Sequence, residues 1–364
     1  MNETGMSRQA KPADFSRTQA PDEDWLGLAS PEIPIEPELA IIDAHMHLWQ
    51  HASGYRYFVE EYARDVRASG HHVEASVYIE CKSMYRADGP EHLRSVGETE
   101  FAAGLAAAGA SRRYTAPRVA AAIIGYADLR LGDRLPEVLD AHLAAANGQF
   151  RGIRQGAKWD PDPAVKGPVS ADGPGLYLEP GFRRGLAEVI KRGLIFEASV
   201  FHPQIPDVAG LARAVPEASI VLVHSGSPVG HDSYAGRVEQ VHADWLAGLK
   251  ELAKCPNVSV KLGGMLMTLA NFDFGLAARP VSSEELARLW RPFTEPCLDL
   301  FGPDRCMVAS NFPVDKAGFG YGTVWNMFKR ITAGCSPAEK KAIFSGTAVR
   351  IYRISQRPTS RSQT

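Results

Sequence analysis

The sequence predicts a single (β/α)8 barrel behind an extended N-terminal leader, on three grounds. Eight short apolar runs alternate with segments of helical period along the 364 residues, and such alternation implies parallel strands joined by crossover helices. Runs such as Ile220–Val223 are apolar on both faces, as strands lying between a barrel interior and a ring of helices must be. Polar residues gather at the C-terminal ends of these runs, the rim on which barrel active sites are built. The count of eight selects a closed barrel over a doubly wound sheet.

The elements follow in order. Residues 1–36 read as a leader: polar and without period to about residue 24, then Pro-rich, with Pro31, Pro34 and Pro37 excluding an ordinary helix. The barrel is expected over 37–354 and a tail over 355–364. The first strand, Ile41–Trp49, carries Asp43, His45 and His47, which strict alternation places on one face, with Ala44, Met46 and Leu48 on the other. A helix around 58–68 leads to Ala75–Cys81, where Glu80 and Lys82 share the parity of Ser76 and Tyr78 and are expected to point into the barrel beside the histidines. An Ala-rich helix through Arg112 precedes the strands Val119–Tyr126 and Phe150–Ala157, the latter bearing Arg151 and Arg154. The later strands are Leu194–Phe201, Ser219–Val223, Val258–Leu262 and Cys306–Ala309. Their ends carry His202, His224, Lys261 (within the strand) and Asn311. Ser282/Glu285 and Ser336/Glu339 have the spacing of capping boxes, the second with Pro337 at its first helical position.

A net charge of -2 with interspersed signs leaves no electrostatic footprint for nucleic acid. No apolar run reaches the ~20 residues of a membrane span and no secretory h-region opens the chain, so a cytoplasmic protein is expected. Five cysteines without a C-x-x-C pair fit reduced intracellular thiols. The partner implied is a small molecule, and a homo-oligomer stays open.

Two imidazoles at i and i+2 on a strand end can converge on one metal ion or one substrate oxygen. Lys82, Arg154 and Lys261, with Tyr85 and Arg86 from the loop after the second strand, form a set of donors suited to an anionic substrate. His51, His71, His72, His92, His142, His231 and His242 fall in loops or helices and are expected to be solvated.

From Pro34 to Tyr352 the chain resembles the amidohydrolase-related group of the amidohydrolase superfamily. The resemblance is carried by Ile42-Asp-Ala-His-Met-His-Leu-Trp49, by the histidines ending strands five and six, and by Ser310-Asn-Phe-Pro313. That group includes lactonases acting on pyrone-dicarboxylate, sulfomuconolactone and sugar lactones. The resemblance implies that His45, His47 and His202 hold a divalent metal, zinc foremost, or polarise the substrate carbonyl directly, since some members work without metal. His224 would be a further ligand or donor. It also implies hydrolysis of an anionic lactone by an activated water. Non-oxidative decarboxylation of an aromatic or enol acid is the second enzyme reading, and an inactive barrel binding a small metabolite the third. The group commonly carries an acid where this chain has Asn311, and an amide is no base at neutral pH. Glu80 is therefore the expected base or extra ligand, and Asp315 the second candidate.

Overall fold

The computed structural model describes residues 20–51, 53–111, 114, 117–165, 171–266, 268–269 and 277–355. Its strands β1 (Ile41–Met46), β2 (Val73–Ile79), β3 (Arg118–Gly125), β4 (Phe150–Arg154), β5 (Ile195–Ala198), β6 (Ile220–Leu222), β7 (Val258–Leu262) and β8 (Cys306–Val308) form one sheet, each paired in parallel with the next. Closure from β8 to β1 is made just past the strand ends. Asn311 N–H donates to the His45 carbonyl (2.9 Å) and His47 N–H to the Phe312 carbonyl (2.8 Å), around a parallel bridge between Met46 and Phe312. The helices α1 (Val59–Ser69), α2 (Val96–Ala110), α3 (Leu135–Ala145), α4 (Pro180–Lys191), α5 (Ile205–Ala214), α6 (Val238–Ala253), α7 (Ser283–Phe301) and α8 (Tyr321–Ile331) each follow their strand. The two predicted capping boxes are formed, at the start of α7 and of the helix Pro337–Lys341. The predicted end of the Ala-rich helix, Arg112, lies outside the described residues.

Ile42, Ala44, Val77, Ile79, Ala122, Ile124, Val221 and Met307 meet in one interior cluster. Their strand neighbours Ile41, Met46, Tyr78, Ile123, Ile220 and Leu222 belong to the larger cluster shared with the helices. Strict alternation therefore fails on β1. Ala44 faces the interior and Asp43 faces the helix ring, where it accepts from Ser310 and from the hydroxyl of Tyr321 on α8. A register irregularity between Asp43 and Met46 resets the parity, so that His45 still reaches the mouth. On β2, likewise, Tyr78 turns outward to Glu98 on α2. Glu80 enters the barrel only because the strand ends at Ile79.

The leader is tied down from its described start. Asp22 caps a short helix, Glu23–Leu26. The Trp25 indole donates to the Ala277 carbonyl (3.0 Å), and Ser283 N–H to Glu32 (2.6 Å). At the opposite pole, Ala348, Tyr352 and Ile354 join the interior cluster, and Arg151 on β4 donates to the Tyr352 carbonyl (2.7 Å).

Inside the barrel, Lys261 of β7 donates to both oxygens of Glu197 of β5 (2.8 and 2.9 Å), and the Tyr352 hydroxyl to the same carboxylate (2.7 Å). Both charged side chains are 0% exposed. Removing one partner of such a pair leaves an uncompensated buried charge, whereas removing both leaves none. Lys261→Met should therefore lower unfolding free energy by about 3–5 kcal/mol in urea titrations. Adding Glu197→Leu should recover most of that loss; a double variant no more stable than the single one would refute the assignment.

Candidate active site

Three imidazoles converge at the C-terminal mouth. His45 Nε2 lies 3.2 Å from His47 Nε2, and the His45 and His224 ring centroids are 4.4 Å apart. The other nitrogens of two of the rings are fixed by the backbone: His47 Nδ1 on the Ile79 carbonyl (2.8 Å), His224 Nδ1 on the Gly263 carbonyl (3.0 Å). A carbonyl only accepts, so both Nδ1 atoms carry the proton and both Nε2 atoms present lone pairs. His45 then donates through Nε2 to His47, leaving its Nδ1 a buried acceptor without a hydrogen-bond partner. Burial, followed by the positive charge of Lys261 for His45 and of Lys158 for His224, holds both rings well below the usual imidazole range. His45 and His224 are therefore neutral at pH 7.

His224 reaches this position from a strained turn. It and its neighbours Ser225 and Ser227 have φ of 53°, 51° and 45°, a left-handed region costing L-residues about 1–2 kcal/mol each. Strain of this kind persists where the surroundings over-determine it, commonly at functional sites. Gly264 (φ +69°) packs against the ring: a Cβ there would lie 1.9 Å from His224 Nδ1.

Beside the imidazoles, Arg154 Nε donates to Glu80 Oε1 (2.8 Å), and its Nη2 to the Glu80 carbonyl. This leaves Nη1 3.5 Å from His45 Nε2. Glu80 is fully buried, and its Oε2 has no hydrogen-bond partner. Behind the turn, Glu98 of α2 gathers Cys81 N–H (2.7 Å), Ser83 N–H (3.1 Å), the Tyr78 hydroxyl (3.0 Å) and the Cys81 thiol (3.3 Å) onto one oxygen. Burial and the neighbouring Glu80 charge push Glu98 up to about 7, against those hydrogen bonds. At the end of β8, the Asn311 amide donates to Asp315 Oδ1 (2.8 Å). Asp315 is buried behind it, pushed up to about 8 by desolvation. It tethers Asn311.

Other expected residues lie elsewhere. His202 is not brought to His45 and His47. Its Nδ1 accepts from Val229 N–H (3.4 Å), its ring meets Tyr234 edge-on, and it lines a separate cavity of about 800 Å3. The chain runs four residues past β5 before reaching it, too far for strand parity to aim it. Arg86 pairs with Glu100 at the surface. Lys261 is engaged by Glu197 below the rim. Lys82 lines a cavity with Tyr126 and Arg130. Tyr85 has a buried hydroxyl without a partner, and the Glu98 and Glu80 charges together with burial raise its pKa. Of the histidines expected in solvent, His71, His142 and His231 are buried; His142 is held by Thr99 (2.8 Å) and the Tyr126 carbonyl (3.0 Å). Sequence reasoning missed Glu197 and Glu98. An acid inside the apolar run Ile195–Ala198 is the same signal that singled out Lys261, whereas Glu98 resembles an ordinary first-turn acid.

The 3.2 Å between the two Nε2 atoms is close to the ~3.3 Å that tetrahedral zinc with 2.0–2.1 Å bonds imposes. The set nevertheless does not fit a metal as arranged. Among the described residues no three His, Cys, Asp or Glu side chains are grouped to hold one, and the Arg154 guanidinium brings a cation up to the His45 nitrogen.

Asp315 makes a sign-specific prediction. Its folded pKa is raised above the unfolded value of 3.8, to about 8, so the folded state holds a proton that the unfolded state releases. Stability is therefore lost as pH rises from about 4 to about 8. The unfolding free energy of Asp315→Asn minus that of the wild type should grow over this window and then level off. A pH-independent difference would show that Asp315 is ionised in the fold.

The chain is similar to several known proteins. A Sinorhizobium fredii protein designated y4mH is 31% identical over 338 residues, spanning 87% of this chain and 99% of the relative. An L-fucono-1,5-lactonase from Burkholderia multivorans is 27% identical over 325 residues, spanning 86% and 96%. The crystal structure of a Burkholderia multivorans amidohydrolase with bound zinc matches with a TM-score of 0.65 at 25% identity, covering 87% of this chain and all of that one. The amidohydrolase family model matches residues 42–354, from the strand that bears the histidine pair to the segment that seals the barrel's far end; the chain belongs to the amidohydrolase family.

Proposed function

We propose that this protein opens a lactone ring by hydrolysis, with Arg154 and the imidazoles acting directly on the substrate. The observation that carries the reading is the Arg154–Glu80 pair set against three converging imidazoles. The Burkholderia relative named for a lactone supports it. Arg154 is held through Nε and Nη2, so Nη1 is the donor left to polarise a carbonyl oxygen and to meet the oxyanion that forms there. Water attacks the carbonyl carbon, forming the new C–O bond. Its proton passes to Glu80, whose Oε2 is the unsatisfied acceptor beside the pair, or to the His224 Nε2 lone pair. The ring C–O bond then breaks, and the departing alkoxide takes that proton. The carboxylic acid so formed releases its remaining proton to solvent, and the carboxylate stays beside the guanidinium. Asn311, its amide hydrogens turned to Asp315, offers its carbonyl oxygen to orient the water.

The sequence suggested an anionic substrate. The placement of the cations favours a neutral one. Arg154 is balanced by Glu80, Lys261 by Glu197 and Arg86 by Glu100, which leaves Arg154 to serve the anion the reaction itself generates.

Incubation with a panel of 1,5- and 1,4-lactones, followed by pH-stat titration and NMR of the product, should show one acid equivalent per ring opened. Arg154→Met should lower kcat/KM about 10²–10³-fold, the range for a lost oxyanion donor, with folding checked by circular dichroism. Chelator-treated, metal-free protein should retain its rate. Glu80→Gln and His224→Asn should differ: only the variant lacking the base loses the acidic limb of the pH–rate profile. Release of carbon dioxide from aromatic acids would instead establish a decarboxylase, and binding without turnover an inactive barrel.

A further inference from the structure

Lys82 is presented in a way the proposed chemistry does not use. It has φ 60°, and Met84, two residues on, φ 54°, each in the left-handed region that L-residues disfavour. Glu98 holds the backbone on both sides, through Cys81 N–H and Ser83 N–H. The neighbouring side chains Cys81 and Ser83 are buried while Lys82 is exposed, so the turn pulls its flanks inward and sends the lysine out. It projects into a cavity of about 230 Å3, which it lines with Tyr126, Arg130, Gln155, Asp172 and Glu179.

We propose that this cavity is the subsite for a neutral, polyhydroxylated portion of the substrate, with Lys82 as its specificity-determining donor and Glu98 as the residue that positions it. Lys82, Tyr126 and Gln155 follow the ends of β2, β3 and β4 by three, one and one residues, so the cavity adjoins Glu80 and Arg154 on the same rim. The inference thus rests on the lactonase reading for what is joined to that portion. Among the described residues Lys82 has no hydrogen bond or ion pair, whereas Arg130 is held at both Nε and Nη2 by Asp128 (3.0 Å each). One unengaged ammonium shares the lining with two carboxylates, Asp172 and Glu179, and the Tyr126 phenol, while the Gln155 amide is taken up by Leu129 N–H and Asp128. An anion would meet excess negative charge. Hydroxyl groups, which donate and accept, match both kinds of group. At about 30 Å3 per water the space holds about seven waters, enough for a hydroxylated chain of a few carbons.

The test has a kinetic arm and a binding arm. Wild type should prefer glucono-1,5-lactone over δ-valerolactone, which lacks the hydroxyls, and over a lactone bearing a carboxylate. The ratio of kcat/KM between the first two should fall at least tenfold in Lys82→Met and in Asp172→Ala. Calorimetry with the matching glucono-1,5-lactam, which does not open, should show at least tenfold weaker binding in the same variants. Glu98→Ala should reproduce the Lys82→Met loss, while Glu98→Gln, which keeps an acceptor oxygen for the turn, should retain the preference. Equal lactam affinity in wild type and Lys82→Met, or a wild-type preference for the carboxylated lactone, would overturn the subsite. Failure of every lactone to turn over while the lactam still binds through Lys82 would overturn the lactonase reading and leave the subsite standing.

Discussion

Asp43 holds the seam of the barrel, and the active site is built on that seam. Its carboxylate accepts from Ser310 N–H (2.9 Å), the Ser310 hydroxyl (2.6 Å) and the Tyr321 hydroxyl (3.0 Å). It thereby ties β1 to the end of β8 and to α8. A carboxylate buried this completely is costly unless its lone pairs are occupied, and burial raises its pKa against the Ser310 and Tyr321 bonds. The arrangement therefore tolerates no slippage between β1 and β8. One step further along the chain, the same seam joins the backbones of His45 and His47 to those of Asn311 and Phe312. The resemblance to metal-binding relatives directs attention to the histidines; the residue that fixes where they stand is the aspartate two positions before them, facing away.

Charge balance is the second constraint. A water-poor barrel interior accepts ions only in pairs, and here the pairs cross the barrel: Lys261 with Glu197, Arg154 with Glu80. Burial first, and then these cations, lower the proton affinity of His45 and His224, so those two rings stay neutral beside a guanidinium. In the proposed reaction such a centre polarises a carbonyl without first shedding a proton. The fixed tautomers of His47 and His224, each set by one backbone carbonyl, require no rearrangement as charge develops.

The barrel was legible because eight apolar runs and their intervening helical periods repeat a pattern that few other folds accommodate. The rim was legible because polar residues at strand ends are conspicuous against apolar strands. Facing was less so. His45 and Glu80 reach the mouth although Asp43 and Tyr78, of the same parity, lie on the helix side, because β1 carries a register irregularity and β2 ends at Ile79, neither of which leaves a mark in residue type. His202 misled for a related reason: the pattern His-Pro at a strand end is the same whether the chain turns into the mouth or, as here, runs on towards Tyr234. Glu98 was hidden because a first-turn glutamate usually needs no more explanation than the helix dipole.

Asn311 is where these constraints meet. An ionised aspartate at that position would stand within hydrogen-bond distance of Asp315, and two carboxyl groups so placed cannot both be ionised in a buried setting. The amide resolves the conflict by donating to Asp315, at the cost of any role as a base. The proposed proton transfer is therefore assigned to groups on the far side of the mouth, where Glu80 leaves one oxygen unsatisfied and His224 is held in a strained turn. An amide at the end of β8 and the Glu80–Arg154 pair across from it are thus complementary under the proposed hydrolysis, which assigns the base to the side of the mouth where the guanidinium stands.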